Sequence, residues 1–270
     1  MSTTAEEIYR RLHDWLLAHI RSFAIPDETT RRHFDLKRTH SLKVAEEIDR
    51  LGRALGLASR ALLIARVIGL LHDAGRFEQY DRYRTYNDAA SMDHGALGAA
   101  IVSSNGLLAA FDSSEAQVIT QAILHHNKVA LPENLSAEAL FFLKLIRDAD
   151  KLDIYRVVME NMAAADQALF KVLLPGNEDA SEELSAILMR GDGVNYQLAR
   201  NATDRLLMHV GWVFDINFRP TLRAIADRGC LETIAAALPP TPRVTQIITK
   251  ARNHLAATLA DGPPGLPAQS

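Results

Sequence analysis

The chain has 270 residues, with 30 lysines and arginines against 33 aspartates and glutamates, a net charge of −3, and 48% hydrophobic residues. That balance provides no general electrostatic footprint for nucleic acid, and the length allows a sizeable core. A single cysteine, Cys230, excludes an intramolecular disulfide, the acidic start Met1-Ser-Thr-Thr-Ala-Glu-Glu lacks a secretory pattern, and the longest uncharged run, Gly95 to Phe111, falls short of the roughly 20 apolar residues of a membrane helix. The expectation is a cytoplasmic protein with no membrane span.

The elements read as nearly all helix. Thr4 to Phe23 opens on a Thr–x–x–Glu capping pattern and places Ile8, Leu12, Trp15, Leu16 and His19 or Ile20 at helical spacing. After Ile25-Pro26-Asp27, a helix is expected from Asp27 to Leu57, with Phe34, Leu42, Val44, Ile48, Leu51 and Leu55 on one face and Gly56 as its stop. Ala61 to Leu71 is apolar on almost every side, as in the middle of a bundle, and runs into His72-Asp73-Ala74-Gly75. Arg76 to Ser91 carries Phe77, Tyr80, Tyr83 and Tyr86 without a clear period and reads as a long loop or short irregular helices. Helices follow over Asp93–Ser104, Ser113–His126 and Ser136–Asn161, then Ala163–Leu174, Ser181–Met189, Tyr196–Asn217, Pro220–Asp227 and Val244–Leu259. Residues 261–270 are rich in Pro and Gly and read as a disordered tail. The economical organisation is one all-α domain over 1–260, with a core at about 30–160 and a helical C-terminal extension at 161–260.

The ten histidines divide in two. His13, His19, His33, His209 and His254 read as ordinary surface or core residues. His40, His72, His94, His125 and His126 form an ordered series with Asp73 and with Arg147-Asp-Ala-Asp150-Lys151. A charged carboxylate ending the most buried helix is costly unless paired or metal-bound. Helical proteins build metal sites from imidazoles and carboxylates that point inward from different helices.

The order His40 … His72-Asp73 … Asp150 resembles the HD-domain superfamily of metal-dependent phosphohydrolases. Local strings carry the likeness: Arg38-Thr-His-Ser-Leu-Lys-Val-Ala45, Leu70-Leu-His-Asp-Ala-Gly-Arg76, Asp93-His-Gly-Ala-Leu-Gly98, Ile123-Leu-His-His-Asn-Lys128 and Asp148-Ala-Asp-Lys-Leu-Asp153. The resemblance implies an all-α, HD-like helical bundle and, as metal ligands, His40, His72, Asp73 and Asp150. The further His94, His125 and His126 resemble the subset with two ions, in which Asp73 bridges. The Gly-Tyr-Pro signature of the cyclic-dinucleotide phosphodiesterases is missing after the His pair, where Asn127-Lys128-Val129 stands. Asp148 and Asp150 lie about 200° apart round a helix and cannot share a face; Ala-Asp-Lys-Leu favours Asp150, leaving Asp148 and Asp153 outside the ligand set.

Imidazole and carboxylate ligands suit a divalent transition metal, Fe, Mn, Co, Ni or Zn, better than an all-oxygen Mg²⁺ site. Such a pair activates water and neutralises phosphoryl oxygens. The expected activity is hydrolysis of a phosphate ester of a nucleotide or small phosphometabolite, with Asp73, Arg76 and Lys151 as catalytic candidates and Arg76, Lys128 and Lys151 as substrate contacts. Alternatives are an HD-fold di-iron oxygenase resembling inositol oxygenase, or a non-catalytic metal-binding regulatory module. The aromatic stretch Phe77–Tyr86 reads as a loop burying its own tyrosines or as a base-stacking lid. The run Arg31, Arg32, Lys37 and Arg38 reads as a solvated helix face that can also steer an anion. The partner is a small phosphorylated molecule; oligomeric state is left open by the residues.

Overall fold

Residues 4–163, 178–193 and 196–260 are described by the structure, a computed structural model. The chain divides into two compact units, 1–154 and 155–270, with the boundary inside one long helix.

In the first unit, α1 (Ala5–Arg21) starts on the expected capping box. The Thr4 hydroxyl accepts from Glu7 N at 3.2 Å, and the Glu7 carboxylate accepts from Thr4 N at 2.7 Å. Ile8, Leu12, Leu16 and Ile20 recur every four residues and form its buried stripe. Helix α2 (Glu28–Ala54) is capped by Asp27, whose carboxylate accepts from Thr30 N at 2.6 Å. It ends at Gly56, which has φ 75°, and Leu57 N donates back to Gly52 O at 3.0 Å, a Schellman closure that needs a residue free to turn left-handed. Helix α3 (Ser59–Leu71) is the buried helix that its composition implies: Val67, Ile68, Leu70 and Leu71 are fully enclosed. Each such side chain contributes roughly 1.5–3 kcal/mol of burial. Its one charge, Arg66, pairs with Glu6 and lies 4.0 Å over the Tyr9 ring, so the cation reaches the rim of the bundle.

The stretch after Asp73 is more regular than its sequence indicates. Gly75–Tyr83 is a helix, α4, burying Phe77, Gln79 and Tyr80. Its period is masked because one inward side chain is a glutamine, whose amide donates to Asp88, Ser91 and the Met92 carbonyl. Phe77 and Tyr80 pack against Phe34 of α2. Arg84, at φ 53°, ends α4 in a left-handed turn, and a 3-10 turn at Asp88–Ala90 leads to α5 (His94–Ser104). Helix α6 (Ser113–His125) has a capping box between Asp112 and Glu115. Helix α7 (Ala137–Ala163) starts at Ser136, whose hydroxyl accepts from Ala139 N at 3.1 Å. Leu143, Leu145, Ile146, Ala149 and Leu152 of α7 are fully buried.

The second unit contains α8 (Glu182–Arg190), α9 (Ala202–Gly211), α10 (Arg219–Asp227), α11 (Cys230–Ala236) and α12 (Pro242–Ala260). The single helix expected over 196–217 is broken. Asn201 caps α9 by accepting from Asp204 N at 2.7 Å, and Trp212–Asp215 tightens into a 3-10 turn. Helix α11 is absent from the sequence expectation; it begins after Gly229, at φ 63°. Most of the helix expected over 163–174, and the expected tail at 261–270, lie outside the described residues. Among the described residues there is no strand, and no helix is long and apolar enough to cross a membrane.

Candidate metal centre

Five helices of the first unit bring their ends or inner faces to one point. α2 contributes His40 from its buried face. His72 is the C-cap of α3 and Asp73 follows it. His94 is the first residue of α5, His126 the C-cap of α6, and Asp150 lies within α7. Two glycines allow the approach. A Cβ at Gly69 would sit 3.0 Å from the Ala45 backbone, so α3 packs directly on α2 beside His40. A Cβ at Gly75 would lie 2.5 Å from His94 O and 2.7 Å from Gly98 N, a clash with backbone that has no room to move.

Asp73 lies at the middle. Its Oδ2 is 3.6 Å from His40 Nε2 and 3.7 Å from His72 Nε2, while its Oδ1 is 3.5 Å from His94 Nε2 and 3.6 Å from His126 Nε2. Asp150 Oδ1 is 3.0 Å from His40 Nε2 and 3.9 Å from His72 Nε2. One carboxylate thus turns one oxygen to each of two imidazole pairs, and a second carboxylate closes the first pair.

The proton positions follow from the outer nitrogens. His72 Nδ1 donates to the Gly69 carbonyl and His126 Nδ1 to the Ile123 carbonyl, each at 2.8 Å. A carbonyl can only accept, so both Nε2 atoms present lone pairs inward. His40 Nδ1 donates to Asp153 at 2.7 Å and His94 Nδ1 to Asp88 at 2.6 Å, which directs their Nε2 atoms inward as well. Facing Nε2 atoms are only 3.4 Å apart for His72 and His40, and 3.1 Å for His94 and His126. Asp150 Oδ1 is buried and accepts no well-aligned hydrogen bond despite its nearness to His40. Inward-facing imidazole nitrogens and carboxylate oxygens gathered this closely form a donor set that suits a divalent metal.

The titration behaviour has the same cause. Burial pushes His72 down to about 3 and His94 down to about 4. For His40, burial also acts downward, but Asp150 and Asp153 outweigh it and raise the imidazole to about 9. A proton there supplies part of the positive charge the cluster demands. Burial alone would raise Asp73, yet Lys37, His72 and Arg76 hold its carboxyl well below the usual range.

The sequence-derived residues distribute unevenly. His40, His72, Asp73, His94, His126 and Asp150 converge. His125 does not: its Nε2 is bonded to Gln121 at 3.0 Å on the outer side of α6. Adjacent helical residues point about 100° apart, so only one of the pair can face inward, and His126 continues the buried row of Ile119, Ala122 and Ile123. Asp150 is the carboxylate at the cluster, while Asp148 is wholly buried elsewhere on α7. Lys128 pairs with Asp93, the cap of α5. Lys151 is buried on α7 next to Asp150. Arg76 lies beside the centre, its Nε 3.6 Å from Asp73 Oδ1, but one end is occupied by Gln79, the Tyr86 carbonyl and Asp88.

Lys37, read from sequence only as part of a basic face, donates to Asp73 Oδ2 at 2.8 Å. The available signal was its position three residues before His40, on the same side of α2. Asp88 and Asn127, which hold His94, were not singled out. Three sets of side chains among the described residues bring ligand atoms within 4.8 Å of one another: His40, His72 and Asp150; His72, Asp73 and His126; and Asp88, Asp93 and His94.

Comparison with protein-family models matched residues 38–155 to the HD domain. No curated protein and no solved structure matched the chain. The matched span contains all six converging residues, and HD domains are typical of metal-dependent phosphohydrolases. The likeness to the HD-domain superfamily thus rests on residues 38–155.

Proposed function

We propose that the protein is a metal-dependent phosphohydrolase that holds two divalent ions and cleaves a phosphate ester of a nucleotide or small phosphometabolite. The observation carrying this reading is Asp73, whose two carboxylate oxygens face separate imidazole pairs. His40, His72, Asp150 and Asp73 Oδ2 would hold one ion; His94, His126 and Asp73 Oδ1 would hold the other. Divalent ions supply acidified water and neutralisation of phosphoryl charge.

The protein's own groups do the positioning. Lys37 and Arg76 place two cations at Asp73, with side chains only 17% and 14% exposed. They offset the charge of an incoming phosphate where water screens weakly, which is the main demand of phosphoryl transfer. Arg76 Nε is buried without a hydrogen-bond partner, leaving a donor beside the centre for a phosphoryl oxygen. Lys151 and Lys128 are further candidate substrate contacts. This cationic rim favours phosphoester hydrolysis over the HD-fold oxygenase chemistry for which the same six ligands would serve.

The test is reconstitution with Mn²⁺, Fe²⁺ or Co²⁺ and a screen of phosphomonoesters, phosphodiesters and nucleotides, with O₂ uptake recorded alongside. Metal-dependent phosphate release or diester cleavage supports the reading. Substrate-dependent O₂ consumption without it favours the oxygenase, and stoichiometric metal with neither favours a regulatory module.

A further inference from the structure

We propose that Asp88 is the positioning residue for the metal position formed by Asp73 Oδ1, His94 and His126, and that it sets occupancy there independently of the other position. The inference rests on the two-ion reading above.

Asp88 begins the 3-10 turn between α4 and α5, and its carboxylate gathers donors from three parts of the fold. Its Oδ2 accepts from His94 Nδ1 at 2.6 Å and from Asn127 Nδ2 at 2.9 Å. Its Oδ1 accepts from Arg76 at 3.0 Å, from the Gln79 amide at 2.8 Å and from His94 Nδ1 at 2.9 Å. The ring of His94 is thereby fixed with Nε2 directed toward Asp73, and an anionic acceptor on Nδ1 makes that Nε2 a stronger ligand. His126, the other imidazole of the pair, donates only to a neutral carbonyl. Among the described residues, Asp88 therefore supplies the carboxylate that holds an imidazole of this position from outside.

Asp88, Asp93 and His94 themselves form a compact set of potential ligands. They are poorly disposed to hold an ion of their own. His94 Nδ1 carries a proton toward Asp88, and Arg76, Gln79 and Asn127 already donate to the carboxylates. The set serves the imidazole behind it. The same contacts tie Arg76 to His94 through Asp88, so the cation offered to phosphate and the ligand offered to metal share one anchor.

The test titrates the full chain with Mn²⁺, following bound equivalents by metal analysis and electron paramagnetic resonance. The wild-type chain is expected to bind two equivalents. Asp88→Asn should retain one at unchanged affinity and weaken the other about 10- to 100-fold. Adding His94→Ala to Asp88→Asn should cost no more than His94→Ala alone, because both act on one position. Adding His40→Ala should abolish tight binding of both ions. Two equivalents at wild-type affinity in Asp88→Asn, or equal weakening of both in a folded variant, overturns the proposal. If Asp88→Asn loses its helical circular dichroism, Asp88→Glu, which displaces the carboxylate by one methylene, is judged by the same criteria. A wild-type chain that binds no metal instead removes the two-ion reading itself.

Discussion

The two halves of the centre use one plan at different depths. Each pairs an imidazole fixed by a backbone carbonyl with one fixed by a carboxylate: His72 with His40 in the first, His126 with His94 in the second. In the first half His40 and Asp150 lie in the interiors of α2 and α7 beside His72 at the buried end of α3, and the anchoring Asp153 side chain is 1% exposed. The second half belongs to helix ends, and its anchor Asp88 lies on a short turn with a side chain 32% exposed. Long buried helices open only with much of the fold, whereas turns and helix ends open locally. On the two-ion proposal, one metal position would be part of the core and the other would be adjustable.

The largest effect is expected where the halves meet. Asp73→Ala should lose both metal equivalents together with phosphoester hydrolysis. Retention of one tight equivalent would mean that the halves do not share this carboxylate. Next, His40→Ala and His94→Ala should each lose one equivalent, with the greater fall in melting temperature for His40→Ala. Removing His40 takes a 2.7 Å hydrogen bond from the buried Asp153 carboxylate, at a cost on the order of 1–3 kcal/mol. Equal melting temperatures would erase the difference in depth.

The pH response of the metal-free chain also separates the halves. His40 is raised to about 9, so its contribution is full below the ordinary 6.5 and is lost as pH rises through about 9. His94, lowered to about 4, contributes above 6.5, and that contribution is lost as pH falls through about 4. His72, lowered to about 3, acts in the same sense as His94. Melting curves should show an alkaline decline of roughly 1–3 kcal/mol that disappears in His40→Gln but persists in His94→Gln. An alkaline decline unchanged by His40→Gln contradicts this assignment. The smallest effect is reserved for Lys37→Met, expected to raise KM about tenfold with both metal equivalents retained. An unchanged KM would leave Lys37 as a counter-ion to Asp73 alone.

Much of this cluster was legible in the sequence because its converging side chains sit at recognisable structural places. His72-Asp73 ends an unusually apolar helix, and His94 opens a helix behind a capping aspartate. The choice of His126 over His125 was also available, since residue 126 continues the row of Ile119, Ala122 and Ile123. Asp88 was not legible. It lies in an aperiodic stretch, and only the packing of α4, α5 and the end of α6 brings its five donor contacts together. Helix α4 was hidden for a related reason: Gln79 is polar by composition but buried with its amide satisfied, so hydrophobic periodicity fails where a hydrogen-bond network replaces apolar contact.

The central claim is that Asp73 joins two metal positions. The most direct measurement is the electron paramagnetic resonance spectrum of the full chain during Mn²⁺ titration. Two bound equivalents per chain with a spin-coupled signal are predicted, both lost in Asp73→Ala. A spectrum of isolated Mn²⁺ saturating at one equivalent would contradict the account.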